Sequence, residues 1–263
     1  MKKIFAFLMS LALMLSVCAC GPSKEESKKS DLDYVKEKGT LIVGITDFAP
    51  MDYKEKGSDE WVGFDADMAK EFAKSIGVKA EFVEIDWDNK IMELNGKSID
   101  CVWNGMTLTD EVTTAMDCSN AYCNNAQVVI VPKDKADKYK TAADCKKLSF
   151  AVEKGSAGKD VAEENKFNYT EVKNQATALM EVAAGTSDAA IIDSLMAAAM
   201  VGKGTSYEKL TYTAALNSEE YGVGFRKGSD LVAKINDFFK NATKDGSMQK
   251  IAETYKIQAA LIK

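Results

Sequence analysis

Residues 40–85, TLIVGITDFAPMDYKEKGSDEWVGFDADMAKEFAKSIGVKAEFVEI, switch hydrophobic period from strand to helix and back. Thr40 to Thr46 is a near-continuous apolar run, as a strand buried on both faces requires. Asp65 to Ile76 places Met68, Phe72 and Ile76 four residues apart on one helical face, and Gly77 supplies the stop. Ala80 to Ile85 reads as a second strand. A strand, a helix and a strand in that order predict a parallel pairing, because the helix returns the chain to the same end of the sheet.

The same alternation continues outward. Asp88 to Leu94 predicts a helix with Asp88 as its N-cap, Ile99 to Trp103 a third strand, and Val128 to Val131 a fresh strand bounded by Pro132. Leu148 to Val152 is then a strand, followed by a Glu153–Gly158 loop and a helix from about Lys159. Ala176 to Ala183 is a helix closed by Gly185, and Ala189 to Ile192 and Gly222 to Phe225 are strands. Ser229 to Lys240 and Ser247 to Tyr255 are helices. These signals predict an α/β protein of two units, each a mainly parallel sheet flanked by helices. No repeat of short fixed period is present.

The first residues address the compartment. Met1-Lys2-Lys3 is a short positive start and Ile4 to Val17 an almost unbroken apolar run, the layout of a secretory signal peptide over residues 1–19. A membrane-spanning helix would need about 20 apolar residues. Val17-Cys18-Ala19-Cys20 resembles a bacterial lipobox with Cys18 as a departure in its middle. That resemblance implies lipidation of Cys20, with plain cleavage near Ala19 as the alternative. Gly21 to Ser30 is rich in Ser, Lys and Glu, so residues 20–32 read as a lipid-anchored, flexible tether.

Charge narrows the partners. The 34 basic residues lose Lys2 and Lys3 with such a leader, and against 40 acidic ones the mature balance is about −8. An acidic chain without a basic stripe argues against nucleic acid and against a membrane surface held by charge alone. The chain has no histidine and no C-x-x-C pair, which argues against a metal centre, and no cofactor is called for. Cys101, Cys118, Cys123 and Cys145 sit in or beside apolar runs. A Cys118–Cys123 disulfide stays open, while buried free thiols are the favoured reading.

Several local signatures, in order, resemble the periplasmic solute-binding proteins for polar amino acids, family 3. Thr46-Asp47-Phe48-Ala49-Pro50-Met51 is similar to the family's opening strand-to-loop, and Gly63-Phe64-Asp65-Ala66-Asp67-Met68 to its G-F-D-x-D segment. Lys97 to Asp100 with Asn104-Gly105-Met106-Thr107-Leu108-Thr109, Gly185 to Asp193 and Gly222 to Gly228 complete the series. The resemblance covers about Leu41 to Tyr255. It implies a two-lobed fold of the periplasmic-binding-protein type II, with residues 33–125 and 218–263 in one lobe and 126–217 in the other. Two hinge strands near 124–127 and 217–220 would join them, and the ligand would lie between the lobes. It further implies an extracytoplasmic, monomeric carrier that catches an amino acid and docks on an ABC permease driven by its ATPase.

The physics of such a cleft names its residues. An amino acid carries an ammonium and a carboxylate, and both need replacement partners when water is removed. The resemblance assigns the ammonium to Asp193, whose alternative role is N-cap of the following helix. It assigns the family's carboxylate-forking arginine to position 112, which is Val112 here, and Arg226 is the sole arginine of the chain. Lysine does not reproduce that fork. The carboxylate is then left to the Thr109 hydroxyl and nearby N–H groups, to Ser156 and Ala157 at the next helix start, or to Lys154. Phe48 and Trp87 are expected as aromatic walls, with Asp47, Asn104, Gly105, Met106 and Thr107 beside them, and Trp103 as core. This wall chemistry suits a cation or an amino acid with an apolar or cationic side chain.

Three other readings stand beside the amino acid carrier. A cationic amine without an α-carboxylate would explain Val112. An enzyme is the second, because cyclohexadienyl dehydratases resemble these proteins. It would need an acid or base in the cleft, which without histidine falls to Glu153 or Lys154. A sensory input module is the third, and no signalling segment follows in the sequence. No Gly-x-Ser-x-Gly elbow supports a hydrolase. Binding without catalysis is the expectation.

Overall fold

The computed structural model describes residues 29–262; the stretch expected to be a signal peptide and Cys20, expected to be lipidated, lie outside the described residues. Ser30 accepts the Asp33 N–H at 3.1 Å and caps α1 (Asp31–Lys38). The helix thus takes in Asp31 and Leu32, the last residues of the stretch read as tether, and the Leu32 N–H donates to Asp230 at 2.9 Å. The chain continues through β1 (Thr40–Ile45), β2 (Tyr53–Lys54), β3 (Trp61–Val62), α2 (Phe64–Ser75) and β4 (Lys79–Glu84). A 3-10 turn at Trp87–Asn89 leads into α3 (Lys90–Asn95), followed by β5 (Cys101–Thr107), α4 (Asp110–Ala115), β6 (Asp117–Cys118) and β7 (Cys123–Asn125). The second lobe holds β8 (Gln127–Pro132), β9 (Ser149–Glu153), α5 (Ala157–Glu164), β10 (Asn168–Val172), α6 (Gln175–Ala184), β11 (Ala189–Asp193), α7 (Ser194–Met200) and β12 (Leu210–Ala215). The chain then returns through β13 (Glu219–Phe225), α8 (Leu231–Asp245) and α9 (Ser247–Thr254).

The first sheet runs β4-β1-β5-β13-β6, with β7 also on β13, and the second β10-β9-β11-β8-β12. In each, three strands are parallel: β4, β1 and β5 in the first, and β10, β9 and β11 in the second. The remainder is antiparallel, so the parallel strands are three of six in the first sheet and three of five in the second. The cause is the crossing between lobes. β8 follows β7 across the single residue Ala126, and β13 follows β12 after three residues, so both strands enter their sheets against the βαβ direction. The two crossings lie side by side: the Gln127 N–H donates to Asn217 Oδ1 at 2.6 Å, and the Leu216 N–H to the Gln127 carbonyl at 2.8 Å.

Packing explains where the last helices go. Phe238 and Phe239 of α8 meet Phe72 of α2 and Trp103 of β5, with ring centroids 5.5 and 5.6 Å apart. Trp103 is fully buried in the middle of β5, which runs on to Thr107. Burying such a set of rings removes enough apolar surface to hold the C-terminal helices on the first lobe. Arg226 is a buried tie within that lobe, donating to Asp31 at 3.0 Å and to the Ile99 carbonyl at 2.8 Å. Among the described residues Cys101, Cys118, Cys123 and Cys145 carry free thiols, with Cys101, Cys123 and Cys145 buried.

Candidate functional site

Between the lobes lies a cleft of about 450 Å³, mouth included, walled by both sheets' C-terminal ends and the loops that follow them. Phe48, Trp87, Asn104, Gly105, Met106, Thr107 and Thr109 face it from the first lobe; Ser156, Ala157 and Asp193 face it from the second. Ten of the eleven expected ligand residues therefore meet in one place. Asp47 is the correction. Along the extended segment Thr46 and Phe48 are buried while Asp47 between them is exposed, and it lines a separate surface groove with Tyr53 and Lys54. Successive side chains of an extended chain point to opposite sides, so Phe48 turning inward turns Asp47 outward.

The first lobe builds a rigid floor. Gly105 has φ +53°, and a Cβ there would stand 2.6 Å from Phe48 Cε1 and 3.1 Å from Tyr221 Cε2. Glycine is what lets the Phe48 ring lie on β5, edge-on to Tyr221 at 6.4 Å between centroids. Behind it, buried Asp65 accepts the Gly105 N–H at 2.6 Å and the Tyr122 hydroxyl at 2.8 Å. Burial pushes Asp65 up to about 7 against those hydrogen bonds. The Asn104 side chain is spent inside the lobe: Oδ1 accepts from Thr46, and Nδ2 donates to the Thr46 carbonyl at 3.0 Å and to Asp52 at 2.8 Å.

Asp193 sits at the N-cap position of α7 but makes no side-chain cap bond. Its carboxylate turns toward the cleft instead, and four donors converge on it. Oδ1 accepts from Gln127 Nε2 at 3.0 Å, from the Tyr221 hydroxyl at 2.7 Å and from Asn125 Nδ2, and Oδ2 accepts from Gln175 Nε2. Asn125 and Gln127 flank the crossing at Ala126 and also donate to Glu219 of the other crossing, at 2.6 and 2.8 Å. The acid is thus held by the hinge itself. Burial first, and the neighbouring Glu219 charge second, push Asp193 up to about 8.

Sequence reasoning missed the buried cation of the cleft. Lys90, the first residue of α3, is buried and lines it. Its ammonium donates to the Gly155 carbonyl at 2.9 Å and lies 5.1 Å from the centre of the Trp87 ring. Burial, the first cause, lowers its pKa. Asp88, expected as an N-cap, lies in the 3-10 turn instead and pairs with Lys154 at 2.8 Å. Lys154 thereby points to the rim rather than the cleft, so the cation is Lys90. Val112 is buried in the cleft wall, where the resemblance places an arginine. Glu153, at the end of β9, lines the cleft fully buried, and its Oε1 has no partner. Burial and then the Asp193 charge push it up to about 8.

The hydroxyls are unequal. Thr107 donates to Glu219 at 3.0 Å. Ser156 caps α5 by accepting the Lys159 N–H at 3.2 Å and donates to the Glu153 carbonyl at 2.8 Å, leaving the first N–H groups of α5 at the cleft. Thr109 accepts the Val112 N–H at 3.2 Å as the α4 cap, so its proton is free to be donated. The arrangement offers an acid on one lobe, an ammonium on the other, aromatic walls between them and spare donors beside the ammonium.

A sequence profile of the bacterial extracellular solute-binding proteins, family 3, matches residues 41–258. The arginine-binding extracellular protein ArtP of Bacillus subtilis is 30% identical over 263 residues, covering 97% of this chain and 98% of the relative. The L-cystine-binding protein TcyJ of Escherichia coli is 31% identical over 229 residues, 85% of each chain. Among solved structures, the ancestral amino acid-binding protein AncCDT-1, a precursor of cyclohexadienyl dehydratase, superposes with a TM-score of 0.78 at 35% identity, over 86% of this chain and 99% of that one.

Proposed function

Because the chain belongs to the bacterial extracellular solute-binding proteins of family 3, we propose that it is the extracytoplasmic binding component of an ABC importer and that its cargo is an amino acid. One observation carries the choice of cargo. A buried carboxylate on the second lobe, Asp193, and a buried ammonium on the first, Lys90, line the same cleft. A zwitterion laid across it meets an opposite charge at each end, and each interaction strengthens as water leaves. Asp193 with its hinge-held carboxylate receives the ligand ammonium. Lys90, the Thr109 hydroxyl and the first N–H groups of α5 receive the carboxylate in place of the arginine that Val112 lacks. Phe48 and Trp87 close on the ligand's side chain.

Closure then follows from where these groups sit. Capture on the first lobe leaves the ammonium site half-built; rotation about the two crossings brings Asp193 and α5 into place. The closed form presents both lobes together to a permease. A lipid anchor at Cys20 keeps the carrier near that partner and raises its effective concentration.

The test is a thermal-unfolding screen of refolded protein against amino acids and amines. Ligand binding to the folded state raises the midpoint by mass action. A shift of several degrees with one or a few amino acids, abolished in Asp193→Ala, supports the reading. Shifts only with amines lacking a carboxylate would remove the amino acid and keep the importer. Turnover of prephenate or arogenate would replace binding by catalysis.

A further inference from the structure

Two buried acids, Glu153 and Asp193, and one buried base, Lys90, line the cleft. The other acids of its lining, Glu111 and Asp160, are exposed to water at the mouth. Asp193 already has four protein donors on its two oxygens. Glu153 has a wholly buried Oε1 with none. Buried carboxylate oxygens are ordinarily satisfied, because an unmet acceptor loses its hydration with no return. Gln127 Oε1 is likewise buried at the cleft without a donor, but it belongs to a neutral amide; among the cleft's acids the buried acceptor left free is Glu153.

Charge balance points the same way. A zwitterion gives its ammonium to Asp193 and its carboxylate to Lys90 and adds no net charge. Beside such a ligand Glu153 keeps its proton, because ionised it would be an uncompensated buried anion, the costliest state a closed cleft can hold. A ligand with one further positive group cancels it. Resting on the amino acid reading above, we propose that Glu153 selects the charge of the cargo: its unpartnered Oε1 receives a cationic group on the ligand side chain, so the cargo is a basic amino acid. The Trp87 ring of the same cleft, already in contact with one cation, offers a face for a second.

The experiment is calorimetric titration of the refolded protein at pH 7 with L-arginine and L-lysine against their neutral counterparts L-citrulline and L-norleucine. The same four probes are titrated into Glu153→Gln and Glu153→Asp. Expected is a preference for the cationic member of each pair of about tenfold or more, the size of a charge-assisted bond made in a dry site. The preference should fall below about threefold in Glu153→Gln and persist in Glu153→Asp. Neutral ligands binding as tightly as cationic ones, or a preference that survives Glu153→Gln, overturns the proposal while leaving the amino acid reading intact. If Glu153→Gln fails to fold, the wild-type ratios and Glu153→Asp decide. Agmatine and putrescine separate the two readings from the other side. Binding only of these, weakened about tenfold in Glu153→Gln, keeps charge selection and removes the amino acid. No binding by any probe removes both.

Discussion

Lys90 belongs to the first lobe, yet its ammonium donates to the Gly155 carbonyl of the second at 2.9 Å. A buried ammonium must keep a partner, and here the partner is the backbone of the loop that opens α5. The contact needs a close approach: Gly155 has φ +69°, and a Cβ on it would stand 2.8 Å from the Asp88 backbone. Lys90 is thus both a ligand-facing charge and a pin between lobes.

Lys90→Met keeps the aliphatic stem against Trp87 and removes the charge. Binding of amino acids should weaken by about tenfold or more, as expected for loss of one partner of a buried charge pair. Amines lacking a carboxylate should bind as before. Calorimetry with L-arginine and agmatine checks this, and equal losses for both would mean that Lys90 acts on closure alone.

Asp193→Asn removes the charge while keeping the shape within its ring of donors. Amino acid binding should fall by about a hundredfold, and the unliganded unfolding midpoint should move by only a few degrees. An unchanged affinity would take the ammonium away from Asp193.

Glu153, ordinarily 4.5, is pushed up to about 8, and Asp193, ordinarily 3.8, to about 8. A folded value above the unfolded one means that the native state holds its proton longer. The contribution to stability is complete below about pH 4 and is lost progressively as pH rises through about 8. Ligand-free protein should therefore unfold at a higher temperature at pH 5.5 than at pH 8.5, and Glu153→Gln should flatten that slope. A cationic ligand should draw the proton off Glu153, so binding at pH 7 should release protons, read as a dependence of calorimetric heat on buffer ionisation.

Gly105→Ala places a methyl against the Phe48 ring at a left-handed backbone position. The strain and overpacking should cost about 1–3 kcal/mol, measured by denaturant unfolding. Ligand affinity should fall as well, since Phe48 has only the cleft to move into.

Much of this site can be read from the chain because it lies where strands end. β5, β9 and β11 were visible as apolar runs, and their C-terminal residues Thr107, Glu153 and Asp193 fall at the cleft. Lys90, Gln127 and Gln175 could not be seen this way. Each lies in the first turn of a helix or at the start of a strand, where polar residues are common, and its burial follows only from how the lobes meet. Lys154 carried the expected signal next to a glycine loop, but Asp88 across the cleft offers it a surface partner and draws it outward. Asp47 failed by one residue, within an extended segment where one residue reverses the side.

Two pairs straddle the mouth: Lys154 with Asp88 at 2.8 Å and Lys173 with Glu84 at 3.0 Å. Each is open to solvent, so neither adds much stability. Both join the first lobe to the second, and both weaken as ions crowd the surface. The rim is therefore a salt-sensitive latch. Its hold is slight, so raising the salt should shift the empty carrier only modestly toward the open form and leave closure to the cargo.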